Sequence, residues 1–229
     1  MTASASADGS GLPGLFVVIE GIDGAGTTTQ CERYAARLRA AGRRVHVTRE
    51  PSGGPVGALL RQVLTHRVTL PRSRQAQTMA LLFAADRLDH LAHEVEPRLA
   101  EGYVVLSDRY DLSSLTYQSL SEGDAGDEAA SHSVEWIRAL NQSARRPDVT
   151  IVIDVSPEVA AERRRARGGA EELLEAADLQ ARLARAYRRA EVFVPGDRLI
   201  HVDGDLLVDA VAEAVAAALD VFALPRAVG

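Results

Sequence analysis

Lysine is missing from this chain of 229 residues, whose 26 basic residues are all arginine. Any cation that a ligand needs must therefore be a guanidinium, a protonated histidine or a bound metal. Cysteine is nearly absent too. The single Cys31 excludes an intrachain disulfide and a cysteine-rich metal site, and it reads as a small packing residue. An excess of basic charge is also lacking. A formal net charge of -6 and a pI near 5.6 leave no basic stripe for nucleic acid and no polybasic membrane anchor, so the expected partner is a small molecule. No apolar run is long enough to span a bilayer, and the first residues lack the pattern of a signal peptide. A cytoplasmic protein with no membrane partner is the expectation.

What is present begins with composition. With 46% hydrophobic residues, the chain can bury a full core and fits one domain of the larger single-domain size. Residues 1–14, MTASASADGSGLPG, are small, polar and glycine-rich, and are expected to be a disordered tail before a single domain over 15–229.

That domain opens on LFVVIEGIDGAGTTTQ, residues 15–30. An apolar run ends in Glu20 and a glycine turn, and a helix-compatible stretch follows. Glycines allow backbone N–H groups to approach an anion, and a helix start points its positive end at the same spot. Gly21, Gly24, Ala25, Gly26, Thr27, Thr28 and Thr29 are thus the candidate phosphate cradle. Against G-x-x-x-x-G-K-[ST], the stretch matches at Gly21, Gly26 and Thr28, and carries Thr27 where the motif has lysine.

Further along, hydrophobic runs alternate with helical patterns, which predicts a parallel sheet covered by helices on both faces. Strands are expected at Val45–Val47, Tyr103–Leu106, Val149–Val155 and Arg198–Val202, with a closing helix from Asp205 to Phe222. The strand order does not follow from the pattern. Over 74–99 the spacing predicts one long helix burying Leu81, Ala84, Ala85, Leu88, Leu91, Ala92, Val95 and Leu99. Phe83 and Arg87 fall opposite that stripe and side by side, where ring and guanidinium could hold a flat base. The lone Trp136 reads as a packing residue.

Two strand ends carry chemistry. Arg49 precedes the turn PSGGP, at the sheet edge where ligands bind in parallel α/β folds, although a solvated loop charge would look the same. Asp108 follows a fully apolar strand, the usual place for a carboxylate that orients magnesium, and a helix cap is its plainer reading. Arg163, Arg164, Arg165 and Arg167 end a helix at Gly168-Gly169. They suit a short mobile lid, about 163–178, that brings cations over a phosphoryl group, and equally a solvated helix end.

The segments IEGIDGAGTTTQ, TREP, LLFAADR, LSDRYDLSSLTYQ and RPDVTIVIDVSPEVAAER, in this order, resemble the thymidylate kinase family of P-loop nucleoside monophosphate kinases. The resemblance covers nearly the whole chain from Leu15. It implies a three-layer α/β P-loop fold with a five-stranded parallel sheet, and phosphoryl transfer from ATP to dTMP with Mg²⁺. It also implies a homodimer. Carried over by position, Asp23 resembles the family acid near substrate sugar and phosphate, and Arg49 and Arg109 resemble the pair gripping the acceptor phosphate. Phe83 resembles the residue stacked on thymine and Arg87 the one bonded to its edge. Ser114, Tyr117 and Gln118 fall at base and deoxyribose, while Thr28 and Asp108 would help position the metal.

The chain departs from the family at Thr27, at Ser52 in place of a glycine after TREP, and in GGAEELLEAADL, which lacks the usual arginine and acid pattern of bacterial lids. In a lysine-free chain the missing charge must come from an arginine or the metal, and one of Arg163, Arg164, Arg165 and Arg167 is expected to supply it. Thr27 also leaves open a non-catalytic nucleotide-binding homologue, and a kinase of another nucleoside monophosphate remains a further reading.

Overall fold

The computed structural model describes residues 13–120, 127–168 and 177–224. Most of the expected tail and the centre of the expected lid, residues 169–176, lie outside them.

Five strands form one sheet in the order β2-β3-β1-β4-β5: β1 (Leu15–Glu20), β2 (Val45–Arg49), β3 (Val104–Asp108), β4 (Val149–Asp154) and β5 (Leu199–Asp203). All four pairings are parallel. In β1, Val17 and Ile19 point into a core with Cys31, Ala35 and Leu38, whereas Phe16 and Val18 point the other way against Leu91, Val95 and Tyr110. This period of two puts helices on both faces and explains the apolar strands. Parallel connection also sends Glu20, Arg49 and Asp108 to the same edge of the sheet.

Helices α1 (Thr27–Ala40) and α2 (Pro55–Leu64) precede a short 3₁₀ turn, Arg72–Arg74. There follow α3 (Gln75–His90), a π-helical turn over Leu91–Val95, and α4 (Glu96–Ala100). The single helix expected over 74–99 is thus broken in character at its last third. Pro97 has no N–H to bond the carbonyl four residues back and crowds it, and the Glu96 N–H bonds to Leu91 O, the wider π spacing. The expected buried stripe is corrected as well. Leu81 and Leu88 are 51% and 43% exposed, and Ala85 and Ala92 are exposed. The inner face of α3 carries Met79, Ala80, Ala84, Asp86, Arg87 and His90, whose polar members find partners that periodicity cannot show.

The remaining helices are α5 (Asp111–Leu120), α6 (Asp127–Leu140), α7 (Pro157–Arg167), α8 (Ala177–Tyr187) and α9 (Val208–Ala223). Trp136 on α6 is 38% exposed, so it is not the packing residue expected. Cys31 is fully buried, and burial pushes its thiol well above the ordinary range.

Candidate active site

The glycine turn runs between the end of β1 at Glu20 and the start of α1 at Thr27. Gly24 and Gly26 have φ of 94° and 95°, left-handed conformations that suit residues without a Cβ. Gly26 is the N-cap of α1, and no acidic residue of the helix itself sits in the first turn to offset the positive end of its dipole. Thr28 and Thr29 are exposed at this end, and Thr27 is nearly buried. The expected cradle residues therefore share one loop and one helix start.

On the far side of the loop stands α7, whose Ala160 backbone packs so closely on Gly24 that a Cβ there would run into it. From this position Arg164 Nη1 donates to Asp23 O, and Arg163 Nη1 donates to Ala25 O at 3.4 Å. Arg165 and Arg167 are exposed at the end of α7. Of the four arginines, one of which is expected to stand in for lysine, Arg163 and Arg164 reach the loop.

Asp108 ends β3 against the start of α1, where the Thr28 hydroxyl donates to its Oδ2. Its Oδ1 is buried and has no hydrogen-bond partner among the described residues. A buried carboxylate oxygen without a donor is costly unless a cation or ordered water meets it. Magnesium fits here, because it is held through one or two carboxylates together with substrate phosphates. Among the described residues no group of three or more acidic, histidine or cysteine side chains could hold a metal alone.

Next to Asp108, Arg109 is the only residue of the β3–α5 turn held at positive φ, 73°. Its guanidinium donates to Asp23 Oδ1 at 2.5 Å and lies 5.3 Å from the centre of the Tyr117 ring. The Tyr117 hydroxyl and Gln180 Nε2 donate to the other Asp23 oxygen at 3.1 and 3.2 Å. Asp23 thereby ties the phosphate loop to β3, α5 and α8.

Beside this cluster is an open pocket of about 560 Å³ including its mouth, lined by Asp23, Pro51, Phe83, Arg109, Ser114, Tyr117 and Gln118 among others. Six of the residues expected at the acceptor therefore converge. Arg49 is exposed at the end of β2 and paired in register with Asp108. Arg87 lies beneath the pocket rather than in its wall. It is 1% exposed, with Nη2 donating to Glu50 Oε2 at 2.5 Å and to Ser114 Oγ at 3.1 Å, and Nη1 donating to Asn141. Its guanidinium also faces the Tyr110 ring at 5.0 Å. These bonds from both terminal nitrogens fix Arg87, which holds Ser114 and Glu50 in the pocket wall.

Ser52, a departure in the sequence, turns out to be a fixed point. Its N–H and hydroxyl donate to the two oxygens of buried Asp86 at 2.7 and 2.6 Å, and its oxygen accepts from Gly54 N. This clasp fastens the loop after β2 to α3 between Phe83 and Arg87. Motif reading missed Glu20, Glu50, Asn141, Gln180 and Tyr187. Glu20 and Glu50 stand inside quoted motifs yet carried no role, and the other three come from distant segments with no local signal.

Comparison with known proteins gives the same answer as the geometry. The family model described as thymidylate kinase matches residues 19–215. A probable thymidylate kinase of Pyrobaculum aerophilum is 42% identical over 156 residues, 68% of this chain and 72% of that protein. A thymidylate kinase of Ruegeria pomeroyi is 40% identical over 194 residues, 81% of this chain and 88% of that protein. One from Burkholderia cenocepacia is 43% identical over 155 residues, covering 66% and 70%. The matched span contains the glycine loop, Arg49, the α3 residues, the β3–α5 turn and α7, so the chain belongs to the thymidylate kinase family.

Proposed function

We propose that this protein transfers the terminal phosphoryl group of ATP to dTMP, giving ADP and dTDP. One observation carries the reading. Asp23 lies within the phosphate loop and is bonded to Arg109 and Tyr117, which line the adjacent pocket. Donor and acceptor sites are thus parts of one hydrogen-bonded unit, as in-line transfer requires.

The donor phosphates sit on the loop amides at the start of α1. Thr28 and Asp108 would hold Mg²⁺, which would supply charge neutralisation of the phosphate oxygens. Arg49 and Arg109 grip the acceptor phosphate, since guanidinium forks match phosphate oxygens in pairs. Asp23 aligns Arg109 and keeps its charge at the junction of the two sites. Phe83 stacks on the thymine ring, with Ser114 and Gln118 fixing its edge and Arg87 holding Ser114 from beneath, and Tyr117 crowds the position of a ribose 2′ hydroxyl.

Arg163 and Arg164 supply the charge that Thr27 lacks, acting through the loop carbonyls they already touch. No helix among the described residues is long and apolar enough to cross a membrane; a cytoplasmic location and a homodimer are part of the same reading.

The test is a coupled ADP assay with a panel of nucleoside monophosphates. ADP formation that depends on dTMP, with the ribonucleotide and purine monophosphates poor, is the expected result. Clean wild-type protein that forms no ADP in response to dTMP overturns the reading, and equal turnover of another monophosphate overturns its acceptor.

A further inference from the structure

We propose that Glu20 is the positioning residue that holds Arg109 in its ligand-facing conformation. This rests on the reading that Arg109 grips the acceptor phosphate. Glu20 is fully buried at the end of β1. Its Oε1 accepts from Tyr110 N at 2.7 Å and Ser113 N at 3.2 Å, and its Oε2 accepts from the Ser113 hydroxyl at 2.6 Å and the Tyr187 hydroxyl at 3.0 Å. Four donors occupy the four acceptor positions of one carboxylate.

Those bonds bracket Arg109. Its left-handed backbone is unfavourable for a residue with a Cβ and persists only where its neighbours fix it. Arg109 N donates to Ile19 O at 3.0 Å, and the Ser107 hydroxyl donates to Arg109 O at 2.8 Å. On the other side, the next residue is pinned through Tyr110 N to Glu20. The side chain is held as well, because Arg109 Nη1 donates to Ser113 Oγ at 3.2 Å while that hydroxyl donates to Glu20. Glu20 also caps the start of α5 from another element, and through Tyr187 it joins α8 to the same point.

Burial pushes the Glu20 carboxyl up to about 7, against the Arg109 charge and the bonds from Ser113, Tyr110 and Tyr187. The groups facing it are Arg109 and Tyr110 from the turn, Ser113 from α5 and Tyr187 from α8, whose ring meets that of Tyr117 edge-on; Asp23 lies beyond Arg109. Above about 7 the ionised carboxylate accepts all four bonds; below it, a protonated oxygen gives up an acceptor position and the Arg109 arrangement loosens.

The test compares wild type, Glu20→Gln and Ser113→Ala. Glu20→Gln keeps the side-chain shape and two acceptor positions, so the fold and the KM for ATP are retained while the KM for dTMP rises about ten-fold, the scale of one lost charge-assisted contact. Ser113→Ala removes the link to the Arg109 side chain and one of the four Glu20 bonds, keeps the backbone bonds from Tyr110 and Ser113 and the carboxylate charge, and raises the KM for dTMP less. In wild type, kcat/KM for dTMP falls as pH drops through about 7, a step absent from Glu20→Gln; the second ionisation of the substrate phosphate, near about 6, appears in both. Variants that keep the wild-type KM for dTMP and the wild-type pH profile overturn the assignment. Wild-type protein without dTMP-dependent ADP formation overturns the function itself and this assignment with it.

Discussion

Thr27 is where the chain gives up the most local charge. A threonine at the first residue of α1 offers a hydroxyl, and its near-complete burial leaves little room for a mobile partner. Losing one preorganised charge-stabilising donor typically costs about 10² to 10³ in turnover, so an active enzyme needs compensation. Arg164 is the best placed, since it donates to the carbonyl of Asp23, the residue that also orders Arg109. Arg163 divides itself between Ala25 O and Leu206 O, both weaker at 3.4 and 3.2 Å. Arg164→Ala is therefore expected to lower kcat about 100-fold. Thr27→Lys in the wild type gains less than about ten-fold, yet in the Arg164→Ala background it restores most of the loss. Steady-state kcat for the four proteins decides it; an Arg164→Ala enzyme with wild-type turnover removes the compensation.

Elements position these residues, and α7 shows how. It reaches the loop because Gly24 has no Cβ to meet the Ala160 carbonyl, whereas a Cβ at Gly26 would meet nothing within 4 Å. Both have similar positive φ, so the pair separates backbone strain from docking. Gly26→Ala pays the left-handed penalty alone, about 1–2 kcal/mol. Gly24→Ala pays it and pushes α7 away, so it lowers the melting temperature further and lifts Arg163 and Arg164 from the loop. Thermal denaturation of the two variants checks this, and equal melting temperatures contradict it. Such docking was invisible in the sequence, while the alternation of strands and helices was plain. The glycine loop, the strand-end position of Asp108 and the placing of Phe83 off the apolar stripe were legible because each is a local pattern. The strand order and the depth of Arg87 were not, because they depend on partners such as Asn141 and Glu50 more than 30 residues away. For the same reason α5, with Ser114, Thr116, Gln118 and Ser119 buried, carried no apolar stripe to announce it.

At the scale of the whole molecule, the misplaced stripe on α3 becomes informative. Leu81, Ala85, Leu88 and Ala92 follow a 4, 3, 4 spacing, a real apolar line, and in a single chain it faces outward. Periodicity reports that a face is apolar and cannot report which chain covers it. An exposed apolar line on a long helix is the kind of surface a two-fold dimer buries, the same patch meeting itself on both copies. Here burial would also serve the site, because the opposite face of α3 presents Phe83 toward the pocket and Arg87 beneath it. Clamping α3 from outside would hold that helix against the Ser52–Asp86 clasp. The protein is therefore expected to run in solution at about twice its 24.5 kDa chain mass. Replacing Leu81 and Leu88 together by glutamate places two like charges on each copy at the contact, which drives it to monomers that keep their far-ultraviolet circular dichroism. Those monomers have a higher KM for dTMP and an unchanged KM for ATP, since α3 borders only the acceptor side. Light scattering coupled to gel filtration, with the ADP assay on the same fractions, tests both halves. A wild type that is monomeric at micromolar concentration overturns the dimer, and a monomeric double variant with wild-type KM for dTMP shows that α3 needs no second copy to shape the pocket.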